Sequence, residues 1–289
     1  MDKPGFFNAY TLKMIAIIGM AMQHTAIVLG AVIPVALHFP LQFAGGLTFP
    51  IMAFFVAEGY RHTSNLRKYI WRIFIFALIS QIPFVLAFSF AGDGMNKFGL
   101  EGTVGNIMLF LSPNIMFIIL IGLCLVIMYD KMKARWLFWI FCVTILLLTV
   151  LFSWGLVGPL MILLYHIIKS DKARKIAVPI VAGGYTIVLG IVIGVIVAVM
   201  ALSGNLDGLI DPKMMDMEIT GAEMAMGLAG LLFPVGSFAT IPLLLKYNGQ
   251  RGRSMKYLFY AFYPLHLLIL ALIALALGIG SVLPFEMFS

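Results

Sequence analysis

The chain has 289 residues, of which 62% are hydrophobic and only 11% charged, with a formal charge of +7 and a mean hydropathy of +1.07; soluble domains carry about 25% charged residues. This composition marks an integral membrane protein and excludes a soluble enzyme, a disordered tail and a secreted disulfide scaffold, since Cys124 and Cys142 sit inside apolar runs as packing residues. The positive excess reads as basic cytoplasmic loops, with no nucleic-acid partner implied.

Runs of about 20 apolar residues predict an all-α polytopic bundle of about nine spans, eight to ten, over 12–35, 47–60, 70–90, 106–128, 136–152, 154–168, 176–202, 221–245 and 257–280. The first run is too long for a signal-peptide core and is expected to be a span. The second, fifth and sixth are short enough for one to be tilted or re-entrant, and Ser153, Trp154 and Gly155 suggest a tight hairpin. With the N-terminus inside, Lys3, Lys13, Arg61, Arg67, Lys68, Arg72, Lys131, Lys133, Arg135, Lys169, Lys172, Arg174, Lys175, Lys246, Arg251, Arg253 and Lys256 all lie inside. Of the 19 basic residues only Lys97 and Lys213 fall outside, beside Asp93, Glu101, Asp207, Asp211, Asp216 and Glu218. The expectation is one domain over 1–289 in a cell's inner membrane, with its C-terminus outside.

Ionisable groups in spans are costly and point to function. His24 follows Lys13 by eleven residues, about 16 Å of helix on nearly the same face, and His266 follows Lys256 by ten. Both histidines are expected near mid-membrane, either as working groups or as simple interhelical hydrogen bonders. Neither has metal-ligand spacing, so no metal is expected. Tyr263 shares a face with His266 at i, i+3.

Glu58 ends the second span beside Arg61, with His62, Arg67, Lys68 and Arg72 following, and Lys246, Asn248, Gly249, Arg251, Gly252 and Arg253 form a second basic cluster. These read either as charged helix ends, Glu58 pairing with Arg61 at i, i+3, or as a platform for the phosphates of a cytosolic cofactor. No P-loop is present. Ser80, Gln81 and Pro83 in the third span, and Asn106, Ser112, Pro113 and Asn114 in the fourth, suggest irregular backbone around a cavity or plain kinks.

Leu12–His24, Phe49–Ile73, Asn114–Leu123, Tyr247–Gly252 and Lys256–Leu270 (LKMIAIIGMAMQH, FPIMAFFVAEGYRHTSNLRKYIWRI, NIMFIILIGL, YNGQRG, KYLFYAFYPLHLLIL) together resemble the TraX family, over nearly the whole chain. The resemblance implies a membrane acetyltransferase of the kind associated with N-terminal acetylation of conjugative pilin, distantly similar to the acyltransferase-3 superfamily. There a basic residue precedes a first-span histidine, matched by Lys13 and His24, and arginines after the second span handle acyl-CoA, matched by Arg61 and Arg72. The chain departs at Gln23 and Ser153, where the family usually carries acids.

Taken together, acetyl-CoA is the expected donor and no metal cofactor is needed. Lys13, Glu58, Arg61, Lys68, Arg72 and Arg251 would hold it. His24 would act as general base or as a covalent nucleophile, with His266 and Tyr263 beside it. Gln23, Ser80, Gln81 and Asn114 would line the acceptor pocket, and Tyr263, His266, Asn114 or Ser80 would donate to the oxyanion. The acceptor would be a membrane-associated peptide, a pilin-like N-terminus being favoured, or a surface glycan acetylated on oxygen. A proton-coupled transporter or flippase is the competing class, although no repeat and no midplane acid support it.

Overall fold

The computed structural model describes residues 5–89, 112–149, 154–203 and 221–279. Among them the chain forms ten helices: α1 (Ala9–Val28), α2 (Val35–His62), α3 (Leu66–Ser89), α4 (Ile115–Lys131), α5 (Arg135–Leu148), α6 (Val157–Ile167), α7 (Asp171–Ser203), α8 (Gly221–Gly230), α9 (Leu232–Leu245) and α10 (Lys256–Ala276). The protein is therefore an all-α membrane protein. Six stretches are long and apolar enough to cross a bilayer: α1, α2, α3, Asp171–Val192 of α7, Gly227–Leu245 through α8 and α9, and Tyr257–Ala276 of α10. Lys3, Lys97, Asn106 and Ser153, with the acidic outer segments, lie outside the described residues.

Several boundaries differ from the sequence expectation. The expected first span, 12–35, stops at Val28, and a turn through Gly30 leads to Pro34 at the N-cap of α2. The expected short second span is instead 28 residues long and runs through Pro40 and Pro50. In hydrocarbon a backbone that leaves the helix strands its polar groups, so a helix tolerates prolines that water would use to break it. For the same reason α3 continues through Pro83, where irregular backbone or a plain kink was expected, and α10 through Pro264. The expected eighth span is two helices joined at Leu231. Of the cysteines, Cys142 is buried, whereas Cys124 is exposed on α4.

Helix α2 is the hub, packed against α1, α6, α8 and α9, while α10 packs on α3 and α1. Small residues permit the closest of these approaches, as membrane interfaces require. Gly46 of α2 meets Gly236 of α9: a Cβ on Gly46 would strike the Phe233 carbonyl, and one on Gly236 the Phe43 carbonyl. Ser237 Oγ also donates to the Gly46 carbonyl (3.2 Å). Gly19 of α1 lies against the Ala44 carbonyl, and Thr48 Oγ1 donates to the Ala16 carbonyl (3.0 Å). Trp136, Trp139, Ile140 and Leu147 of α5 face outward, as lipid contact demands.

The N-terminal segment is strapped to the α9–α10 loop. Phe7 N donates to the Lys246 carbonyl (3.0 Å), Asn248 N to the Phe7 carbonyl (2.9 Å) and Ala9 N to the Gln250 carbonyl (2.8 Å). Gly249 and Gly252 carry φ of 76° and 65°, which glycine adopts without strain. Asn8 caps α1, its Oδ1 accepting from Thr11 N (2.9 Å), and its side chain lies against Gly252.

Gly46→Val and Gly236→Val should each destabilise the protein by about 1 to 3 kcal/mol or more, the usual cost of overpacking, seen as a lower melting temperature in detergent. Gly184→Ala on α7, where an added Cβ meets nothing within 4 Å, should leave melting unchanged or raise it slightly.

Candidate active site

The ends of α2, α3 and α10, the start of α1 and the 246–251 loop converge at the basic end of the bundle around a cleft of about 850 Å³. Lys13, Glu58, Lys68, Arg72 and Arg251 all line it, beside Phe55, Tyr69, Tyr247, Phe259 and Tyr260. Five of the six residues expected to hold the donor thus share one cleft. The sixth, Arg61, turns elsewhere: its guanidinium donates to Glu58 (3.1 Å) and to the carbonyls of Tyr165 (2.9 Å) and His166 (2.8 Å). These are end carbonyls of α6, which lack helical partners.

Among the described residues Glu58 is the one acid lining the cleft, and its charge is consumed. Besides Arg61 it accepts from Arg174 Nη1 (2.7 Å), and His62 Nε2 lies 3.6 Å from its other oxygen. Arg174 also pairs with Asp171 (2.7 Å), which holds Lys175 (2.5 Å), and it stacks over Phe54, 5.1 Å from the ring centre. Arg174 and Lys175 are both buried. By contrast Lys13, Lys68, Arg72 and Arg251 form no ion pair among the described residues. Lys13 lies over the Phe55 ring (4.9 Å) and within the field of Arg251. Burial, then the Glu58 and Asp171 carboxylates, push the Tyr247 phenol up, so it lines the cleft as a neutral donor. The cleft therefore presents mainly positive charge among the described residues.

Deeper along the same two helices, His24 Nδ1 of α1 lies 2.6 Å from His266 Nε2 of α10. Their rings are nearly coplanar and meet edge to edge, with centroids 5.0 Å apart and 10° between planes. His266 is 8% exposed, and its Nδ1 is 2.7 Å from the Phe262 carbonyl. Tyr263 adjoins both rings, at 6.2 Å from His24 and 5.6 Å from His266, and the Phe88 edge meets His24 at 5.7 Å. On α10 the order Phe259, Tyr260, Tyr263, His266 follows one helix face by i, i+3 and i+4 steps, from the cleft to the pair. Arg72 and Tyr260 both line the cleft end of this face.

The remaining expected residues hold helices together. Asn114 caps α4, its Oδ1 accepting from Met116 N (2.9 Å), and it spends both amide protons on the Ala77 carbonyl and Gln81 Oε1 (2.8 Å each). Gln81 Nε2 donates to the Ser112 carbonyl (2.8 Å). Ser80 Oγ donates to the Phe76 carbonyl within α3, and Gln23 packs against Gly45 of α2. None of these four lines the cleft. Sequence reasoning did not single out Arg174, whose i−3 partner Asp171 was visible but whose tie to Glu58 spans 116 residues. It also passed over Tyr247, Phe259 and Tyr260 as wall residues, although their motifs were noted.

Arg174→Ala should destabilise the fold by about 2 to 3 kcal/mol, less than the 3 to 5 of a fully stranded charge because Glu58 keeps Arg61. Thermal denaturation in detergent reads this, and the double variant with Glu58→Gln should recover part of the loss.

The TraX protein family model matches residues 8–274. Among curated proteins, "Probable fimbrial assembly protein FimC, serogroup H1" of Dichelobacter nodosus is 28% identical over 283 residues, covering 91% of this chain and 94% of that one. No solved structure matches.

Proposed function

This chain belongs to the TraX family, and we propose that it is a membrane acetyltransferase that moves the acetyl group of cytosolic acetyl-CoA to a membrane-associated acceptor. The observation that carries the reading is that α1 and α10, which both help wall a cationic cleft, also bring together the half-buried His24 and the buried His266. Lys13 and His24 are eleven residues apart, about 16 Å of helix. A long flexible donor with phosphates at one end and a thioester at the other suits that separation. Lys13, Lys68, Arg72 and Arg251 would hold the phosphates, and the pantetheine arm would pass Phe259 and Tyr260 toward His24. Arg61, Arg174 and Glu58 would hold the cleft's wall without touching the donor.

In the transfer, an acceptor amine attacks the acetyl carbonyl. The new N–C bond forms as the C–S bond breaks, His24 takes the proton the amine loses, and the departing thiolate of CoA receives it. The fimbrial name of the relative favours the N-terminus of a pilin-like peptide as acceptor over a glycan hydroxyl. The positive-inside distribution supports a cytoplasmic position in the inner membrane for the basic end, and hence for the donor.

The full-length protein in lipid nanodiscs should bind acetyl-CoA and release CoA slowly. Arg251→Ala and Arg72→Ala should each weaken binding about tenfold, the loss of roughly one charge-assisted contact. His24→Ala should bind normally and release CoA at least ~10²-fold more slowly. Absence of acetyl-CoA binding in the wild type overturns the reading and turns attention to a proton-coupled carrier.

A further inference from the structure

We infer that His266 is a positioning residue that fixes the tautomer of His24, leaving His24 Nε2 as the bare, basic nitrogen. The chain of hydrogen bonds admits one proton arrangement for a neutral pair. A carbonyl oxygen only accepts, so the His266 Nδ1 that lies 2.7 Å from the Phe262 carbonyl carries a proton. A neutral His266 then has a bare Nε2. His24 Nδ1 is 2.6 Å from that nitrogen and must supply the proton between them. His24 is thereby held as its Nδ1–H form, and its one lone pair sits on Nε2.

The surroundings keep this arrangement in place. His266 is clamped between its own i−4 carbonyl, the Phe262 ring stacked on it at 5.0 Å and 16°, and the Tyr263 ring. No carboxylate pairs with either imidazole among the described residues. Gln23 stands where the resemblance leads one to expect an acid, and it packs against Gly45. The orienting task that a carboxylate performs for a catalytic histidine therefore falls to an imidazole on another helix.

The pair also has somewhere to put a proton. When His24 Nε2 takes a proton, its Nδ1 proton can cross to His266 Nε2. The charge then rests on an imidazolium whose Nδ1–H still donates to the Phe262 carbonyl, and loss of the Nε2 proton from His24 returns the shared proton to His24 Nδ1. No atom or electron is gained or lost in the cycle. The effect on rate rests on the acetyltransferase reading; the tautomer does not.

Nitrogen-15 spectra of the histidine-labelled full-length protein in nanodiscs test this, with the His24 resonances assigned by their loss in His24→Ala. In the wild type at neutral pH, His24 should be protonated on Nδ1 and bare on Nε2. The same state should persist in His266→Gln, whose amide oxygen can accept from His24, and give way to the Nε2–H form in His266→Leu. Given turnover, His266→Leu should lower kcat at least ~10²-fold with the KM for acetyl-CoA unchanged, and His266→Gln should recover about tenfold of that. A wild-type His24 carrying its proton on Nε2 overturns the inference, as does an unchanged tautomer in His266→Leu. If that variant does not fold, the wild-type and His266→Gln spectra still decide. The expected tautomers in a protein that never consumes acetyl-CoA would leave the inference standing and remove the acetyltransferase reading.

Discussion

Hydrocarbon offers no hydrogen bonds, so a polar side chain carried into it must find its partner inside the protein. His24 and His266 meet this demand with each other, across 242 residues of chain. Their contact requires α1 and α10, the first and last described helices, to lie side by side. The backbone strap of Phe7 to Lys246 and Asn248, and of Ala9 to Gln250, ties the starts of the same two helices together at the basic end. With both points joined, Lys13, Phe259 and Tyr260 fall into one cleft, and Tyr263 falls between cleft and pair.

The charge of that cleft depends on a second pairing. Glu58 lies in its wall, where a free carboxylate would repel an anionic ligand. Arg61 and the buried Arg174 hold it instead, and Arg174 is kept in place by Asp171 and the Phe54 face. Lys13, Lys68, Arg72 and Arg251 stay outside these ion pairs among the described residues. The same contacts join the ends of α2 and α6 to the start of α7, so one set of ion pairs both shapes the cleft and closes the bundle around it.

Close helix packing completes the frame. The crossings of Gly46 with Gly236, and of Gly19 with the Ala44 carbonyl, bring α9 and α1 against α2 at backbone distance, where Ser237 and Thr48 add hydrogen bonds to main-chain carbonyls. Such contacts draw on dispersion and on hydrogen bonding, since burial of apolar surface against lipid supplies little. They fix how α1 lies against α2, and with it where His24 sits in the bundle.

Much was legible in the sequence because membrane insertion imposes rules on composition alone. Every described helix overlaps an expected apolar run, basic residues gather at one end, and spacing from Lys13 singled out His24. The i, i+3 rule foresaw Glu58 with Arg61 and Tyr263 beside His266. Helix limits were legible only in part, since Pro40, Pro50 and Pro83 carry breaking signals calibrated on water and the bilayer overrides them. Ser80, Gln81 and Asn114 were equally visible as polar residues, but a sequence does not say whether such a group serves a ligand or caps a neighbouring helix. What the sequence by itself determined was the class of protein and the course of its apolar helices, because these follow from local hydropathy and a 1.5 Å rise. Only the tertiary structure decided that His24 faces His266, that Arg174 answers Glu58 and that Arg61 turns from the cleft to α6, because each is a choice of partner made by packing between distant segments.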